Sequence, residues 1–288
     1  MAARASVPVA LCTLLAATLV VPAAAPTAQA AAPEEAAAPE GSVGFIVLRE
    51  NGSGSAAQAQ RYLDAFLTSF ANRAGWPGAA GKYFTKRKKA KKYIDEAKPS
   101  FGFVSYGAYL GLRKAHGLEA VAVADAGASG GSQYFVISKN HFTLDDCKGK
   151  TLASNHASDT QFVDRVISGD DFDLGDFELV STRRPVQTIK AVINDEAECA
   201  LIDDTQITAL TKVDGGAALR PVWASQALPA VVIVSFGSAS KEHRASFERH
   251  VAAMCEGDGR DACDAAGLTE PRKLKPDEFA AHQAAYDG

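Results

Sequence analysis

The chain of 288 residues lacks most of the short signatures that announce chemistry. No C-x-x-C pair occurs, so zinc ribbons and thioredoxin-type redox sites find no support. The six His form no H-E-x-x-H. His243 and His250 fall on one helical stretch but would stand about 10 Å apart, too far to share a metal. No Gly-Lys-Ser/Thr follows a Gly-rich turn, which excludes an NTPase phosphate loop. A basic excess is also missing: 30 Lys and Arg face 34 Asp and Glu, a formal net charge of −4. That argues against a general nucleic-acid binder. What is present is ordinary: 47% hydrophobic and 22% charged residues, the proportions of a folded protein. The length suggests two domains or lobes. Nothing in these residues calls for a metal or an organic cofactor.

One long apolar run exists, from Val7 to Val21, with Arg4 as the only charge before Glu34. Ala28-Gln29-Ala30 follows with the small-x-small pattern of a signal-peptidase site. A basic start, an apolar core and such a site predict a secretory signal peptide over 1–30, cut near Ala30. The run is short for a membrane span and is bracketed by Pro8 and Pro22. Cys12 precedes most of the apolar core, so it is not a lipidation site. Residues 31–41 hold no bulky apolar side chain and read as a flexible leader. Export would put the protein in the periplasm or outside the cell.

An oxidising compartment changes what the other four Cys mean. Cys255 and Cys263 flank a short polar segment and are candidates for a disulfide. Cys147 with Cys199 is a weaker candidate, with buried free thiols as the alternative.

The rest of the chain alternates short apolar runs with amphipathic helical stretches. Val43–Leu48, Phe101–Val104, Glu119–Ala124 and Tyr134–Ser138 read as strands, and 56–71, 86–97 and 106–116 as helices. The pattern restarts near Lys148. Strands at Thr151–Ser154, Glu178–Ser181, Cys199–Ile202, Leu219–Ala224 and Ala230–Phe236 alternate with helices from Asp159, Pro185 and Thr205. Strands alternating with helices predict parallel-sheet α/β layers, and two series predict two lobes. The expected division is 42–130 for lobe one, 131–147 for a crossing, 148–226 for lobe two and 227–288 for a return to lobe one. A chain that leaves and returns makes a two-strand hinge with a cleft between lobes.

Open α/β sheets bind ligands beyond the carboxyl ends of their strands, where helix N-termini suit anions. Four turns there carry suggestive residues. Ser53 and Ser55 follow the first strand in a Gly-rich turn, where an N-cap is the plainer role. Ser105 and Tyr106, with Tyr109 one turn on, offer hydroxyls and apolar faces, or simply core tyrosines. Ser158, Asp159 and Thr160 precede a helix, as ligand donors or as caps. Arg183 and Arg184 stand before Pro185, able to grip a carboxylate or phosphate, or to be solvated. Asp203 and Asp204 form a matching acidic turn that suits an ammonium group or caps its helix.

Two features look sharper than they are. Gly127-x-Ser129-x-Gly131 matches the hydrolase G-x-S-x-G, but a strand rather than a helix follows it. Lys86 to Lys92 (KRKKAKK) resembles a polyanion site. Ala90, Tyr93, Ile94 and Ala97 supply an apolar stripe there, so the lysines fit a solvated helix face, with partner docking as the alternative.

Four phrases carry a family resemblance: KPSFGFVSYGAYLGLRKAHGLEAVA, SQYFVISKN, LDDCKGKTLAS and RRPVQTIKAVINDEAECALIDD. In order and wording the chain resembles the substrate-binding proteins of phosphate, phosphite and phosphonate import systems, over about Val43 to Phe236. The resemblance implies a two-lobed periplasmic binding fold of the second type. It implies an exported, monomeric solute-binding protein that is not an enzyme, closes on a small ligand and presents it to a membrane permease of an ABC transporter. The family's Ser-Thr-Ser-Gly turn at a second-lobe helix corresponds here to Ala157-Ser158-Asp159-Thr160. The family's His corresponds to Arg183-Arg184-Pro185, and its aromatic after the FGF strand to Tyr109. The expected ligand is small, polar and anionic. The alternatives are a ligand-sensing partner of a membrane receptor and an enzyme on the same fold, for which Cys147, Cys199 and His156 are the passable candidates.

Overall fold

The computed structural model describes residues 40–51, 56–125, 130–266, 268, 269 and 271–288, and residues 38–288 form one compact unit. Ser53 and Ser55, the signal-peptide segment and most of the G-x-S-x-G match lie outside the described residues.

The first sheet has six strands: β1 (Val43–Leu48), β2 (Ala79–Phe84), β3 (Phe101–Ser105), β4 (Glu119–Ala124), β10 (Val231–Ser235) and β11 (Arg272–Lys273), in the order β11-β4-β10-β3-β1-β2. The second has five: β5 (Tyr134–Ser138), β6 (Thr151–Ser154), β7 (Glu178–Ser181), β8 (Cys199–Asp203) and β9 (Arg220–Ala224), in the order β7-β6-β8-β5-β9. Strands β2-β1-β3 and β7-β6-β8 run parallel. Each parallel set is completed by a strand of the opposite sense, β10 on β3 and β5 on β8. The fold is thus two-lobed mixed α/β.

The segment expected as a crossing, 131–147, contains β5, a strand inside the second sheet between β8 and β9. The chain passes between sheets in the shorter stretches from Ala124 to Tyr134 and from Ala224 to Val231. The reason is visible in YFVIS, whose Tyr134, Val136, Ile137 and Ser138 are buried and belong in a sheet core.

Helices α1 (Ala56–Ala74), α8 (Lys241–His250) and α9 (Arg260–Ala266) serve lobe one. Phe66, Phe70 and Phe247 pack with Phe45, Phe101 and Phe103 from its strands. Phe101 and Phe247 stack at 4.1 Å between ring centres. Helices α2 (Arg87–Ala97), α3 (Tyr106–His116) and α10 (Ala280–Asp287) also belong to this lobe. Helix α3 ends as its sequence predicts, with Gly117 left-handed at φ 60° and its N–H bonded to the Arg113 carbonyl. In lobe two, α4 (Leu144–Cys147), α5 (Thr160–Phe162), α6 (Pro185–Ile193) and α7 (Asp204–Ala209) flank the sheet. The helix expected from Asp159 to Ser168 widens to π geometry over Val163–Ile167.

The apolar core does not stop at the lobe boundary. Tyr106 of α3, Phe162 of α5 and Tyr134 of β5 belong to one buried cluster, and Phe162 meets both tyrosine rings edge-on at 6.2 and 6.1 Å. Gly107 makes this approach possible, because a Cβ there would lie 2.8 Å from the Phe162 ring. Four residues on, a Cβ at Gly111 would lie 2.5 Å from the Arg87 guanidinium.

Both disulfides are formed, Cys147–Cys199 between α4 and β8 and Cys255–Cys263 beside α9. They close segments of 52 and 8 residues. Loop-closure entropy makes the longer one worth about 4 kcal/mol and the shorter about 2.5 kcal/mol. Denaturant titration of C147S/C199S is therefore expected to show the larger loss of the two double variants. Denatured protein is expected to show no reactive thiol from these four Cys without reductant, and equal costs for the two bridges would contradict the loop-length ordering.

Candidate functional site

The carboxyl ends of β1 and β3 meet lobe two across a cavity of about 40 Å³. Lobe one contributes Arg49, Glu50 and Asn51 directly after β1, Arg87 at the start of α2, and Ser105, Tyr106 and Gly107 at the β3–α3 junction. Gly130, Gly131 and Ala230 come from the two crossings. Lobe two adds Tyr134, His156, Ser158, Asp159, Phe162 and Asp203.

Arg49 is only 9% exposed, and its Nη2 donates to the Gly130 carbonyl at 3.3 Å. Burial pulls its guanidinium below the ordinary arginine value, against the opposing pull of the Tyr83, Tyr134, Asp203 and Asp204 side chains. Arg87 holds Glu50 through two bonds of 2.9 and 2.6 Å and reaches across to Asp159 at 2.6 Å. Burial works against its charge, but the two carboxylates outweigh burial and hold it above its ordinary value.

Asp159 caps α5 by accepting the Phe162 N–H at 3.1 Å. It also accepts from the Tyr286 hydroxyl of α10 at 3.2 Å. One carboxylate thus meets a helix N-terminus, a guanidinium and a phenol.

A second bridge joins Asn51 of lobe one to His156 Nδ1 at 3.2 Å. Gln206 Oε1 lies 3.0 Å from His156 Nε2. The Asn155 amide nitrogen lies 3.3 Å from the same Nε2, so three side-chain amides surround the ring. Ser105 Oγ is buried in this lining with no hydrogen-bond partner among the described residues. A buried hydroxyl left unpaired costs free energy, so it is a ready donor for anything that enters.

Of the expected site residues, Ser105, Tyr106, Ser158, Asp159 and Asp203 line the cavity together. The Tyr106 hydroxyl is engaged with His282 Nδ1 at 2.8 Å. Asp203 caps α7 through Gln206 N at 3.0 Å. Asp204 is outside the lining and accepts the Gly131 N–H at 2.7 Å. Tyr109 is buried in lobe one, off the cavity, where its hydroxyl accepts from Gln283 at 2.9 Å. Thr160 is exposed and outside the lining.

Arg183 and Arg184 are also exposed and outside it, following β7, an edge strand of the second sheet. The cations in the cleft are instead Arg49 and Arg87. Arg49 had a signal, since it directly follows the first strand. Arg87 was masked by the lysines around it. As for covalent chemistry, Cys147 and Cys199 are tied to each other, and His156 is held among three amides.

A family model described as the periplasmic phosphonate substrate-binding protein of an ABC transporter matches residues 53–279. No curated protein matches the chain in sequence. Among solved structures, a Xanthomonas citri protein bound to chloride ion superposes with TM-score 0.67 at 12% identity, covering 85% of this chain and 96% of that one. PhnD1 from Prochlorococcus marinus in complex with methylphosphonate gives 0.63 at 7% identity, covering 85% and 97%. The binding component of an ABC phosphonate transporter from Pseudomonas aeruginosa gives 0.62 at 14%, covering 86% and 88%. At these identities the structures establish the fold, a type 2 periplasmic binding fold. With the family model spanning most of its length, the chain belongs to the phosphonate-binding family of periplasmic ABC-transporter substrate-binding proteins.

Proposed function

We propose that this protein, exported and monomeric, captures a small phosphonate- or phosphate-like anion in its cleft and hands it to the permease of an ABC importer. The two crossings serve as the hinge, and ligand biases the lobes towards closure. The observation that carries this reading is the convergence on one cavity of Arg49, Arg87 and the unpartnered Ser105 hydroxyl. Planar guanidinium groups offer paired N–H donors that match two oxygens of such a tetrahedral anion. The N-terminal end of α5, with Ser158, faces them from lobe two. Methylphosphonate in the Prochlorococcus marinus relative is consistent with a ligand of this class.

The cleft also holds Glu50, Asp159 and Asp203. Asp159 already engages Arg87, so an incoming anion competes with it for that guanidinium.

Thermal-shift screening against methylphosphonate, phosphite, phosphate and small carboxylates tests the reading. A true ligand at a hundredfold excess over Kd stabilises by about 2.7 kcal/mol. No shift with any anion would sink it.

Arg49→Ala is expected to weaken the anion that binds by about a hundredfold, the loss of a buried charge-assisted bond. Arg183→Ala and Arg184→Ala are expected to leave affinity unchanged, as calorimetry would show.

Asp159→Asn keeps a helix-capping side chain but removes the competing charge. It is expected to tighten anion binding about tenfold. Weaker binding would instead mean that Asp159 grips a cationic part of the ligand.

A further inference from the structure

The charge on α2 is largely unused by the cleft. Residues 82–98 carry eight Lys and Arg against Asp95 and Glu96, a net +6 inside a chain whose formal net charge is −4. The apolar side of the helix is spent on the core: Ala90 and Ile94 are buried and Tyr93 packs against the same cluster. Arg87 turns to Glu50 and Asp159. Lys88, Lys89, Lys91 and Lys92 are left exposed along the outer face. Lys92 lies 3.7 Å from Glu96, whereas Lys88, Lys89 and Lys91 have no ion pair among the described residues.

The composition of this face discriminates between partners. Protein–protein interfaces are depleted in Lys and are built around aromatic or apolar anchors in pockets. Among the described residues, the large exposed hydrophobics are Tyr62, Phe142, Leu179 and Val186, none of them on α2. Lysine is a hydrated point charge on a flexible stem. Four such charges within about 6 Å of helix rise, spread over its outer side, suit a diffuse negative surface better than a shaped site. Anionic phospholipid headgroups present that kind of surface, and basic clusters bind them additively. A substrate-binding protein of an ABC transporter works beside such a bilayer.

We propose that the lysine face of α2 docks the protein reversibly on anionic phospholipid headgroups. Arg87 at the first position of the same helix lines the cleft, so a docked α2 brings the cleft rim to the membrane surface. The contact is electrostatic and independent of which ligand the cleft holds.

The test uses protein lacking residues 1–30, which removes the apolar Val7–Val21 run as a competing anchor and keeps the compact unit 38–288 intact. Co-sedimentation is measured with phosphatidylglycerol-containing and with pure phosphatidylcholine vesicles. The expected result is binding to the anionic vesicles only, released at about 0.5 M salt by screening. K88E/K89E/K91E is expected to lower the partition coefficient at least about tenfold. K212E/K241E/K273E, which makes the same change in net charge at exposed lysines elsewhere, is expected to leave it within about twofold. Both variants are first matched to the parent in thermal midpoint. No binding to the anionic vesicles, equal binding to the neutral ones, or an equal loss in both triple variants would overturn the proposal.

Discussion

The Arg87 guanidinium is the joint on which the two halves of this protein meet. It is fixed from one side by both oxygens of Glu50 and from the other by Asp159, so one planar cation spans the cleft. Several otherwise unrelated residues make that geometry possible. Gly111 is bare where a methyl group would strike the guanidinium, and Gly107 is bare where one would strike Phe162. The C-terminal helix brings Tyr286 to the same Asp159, while Asp287 pairs with Arg113 at 2.5 Å and Lys114 at 2.8 Å on α3. Partly buried ion pairs of this kind contribute little net stability, because desolvation offsets attraction. Their effect is to select one arrangement of the lobes over others.

The same residues explain why the cleft cannot be judged by net charge. Its two Arg are outnumbered by Glu50, Asp159 and Asp203, yet each carboxylate has its own employment. Glu50 orients Arg87, Asp159 caps α5 and Asp203 caps α7. Among the described buried side chains of the lining, the hydroxyl without a partner is that of Ser105, and Arg87 offers a further donor wherever a ligand replaces one of its contacts.

Much of the architecture was legible because strands such as VGFIVL and YFVIS are runs of buried side chains with no other plausible use. Strand β2 was not, since AAGKYF is a partly exposed edge strand without an apolar run. Strand β11, two exposed residues long, left no pattern at all. The site was harder for a different reason. Arg183 and Arg184 have the right local grammar, two cations before a proline-started helix, but strand order decides which turns face the other lobe. Order is a long-range property, and it put β7 at the rim. Arg87 lay inside a lysine run, and only packing separates the one side chain turned inward from those turned out. The spacing of Gly107 and Gly111 on one face of α3 was the overlooked local sign of a close approach.

Strand β10 carries a consequence for how the chain is assembled. It is inserted between β3 and β4, so the first sheet stays divided until residue 235 has been made. All five strands of the second sheet lie between residues 134 and 224. During vectorial synthesis or threading, the lobe that begins first is therefore the one completed last. Its pairing of distant segments costs loop entropy before it gains contacts, the pattern of a slow folder. The inserted lobe can form as an early unit, leaving the ligand cleft to be assembled in the final step.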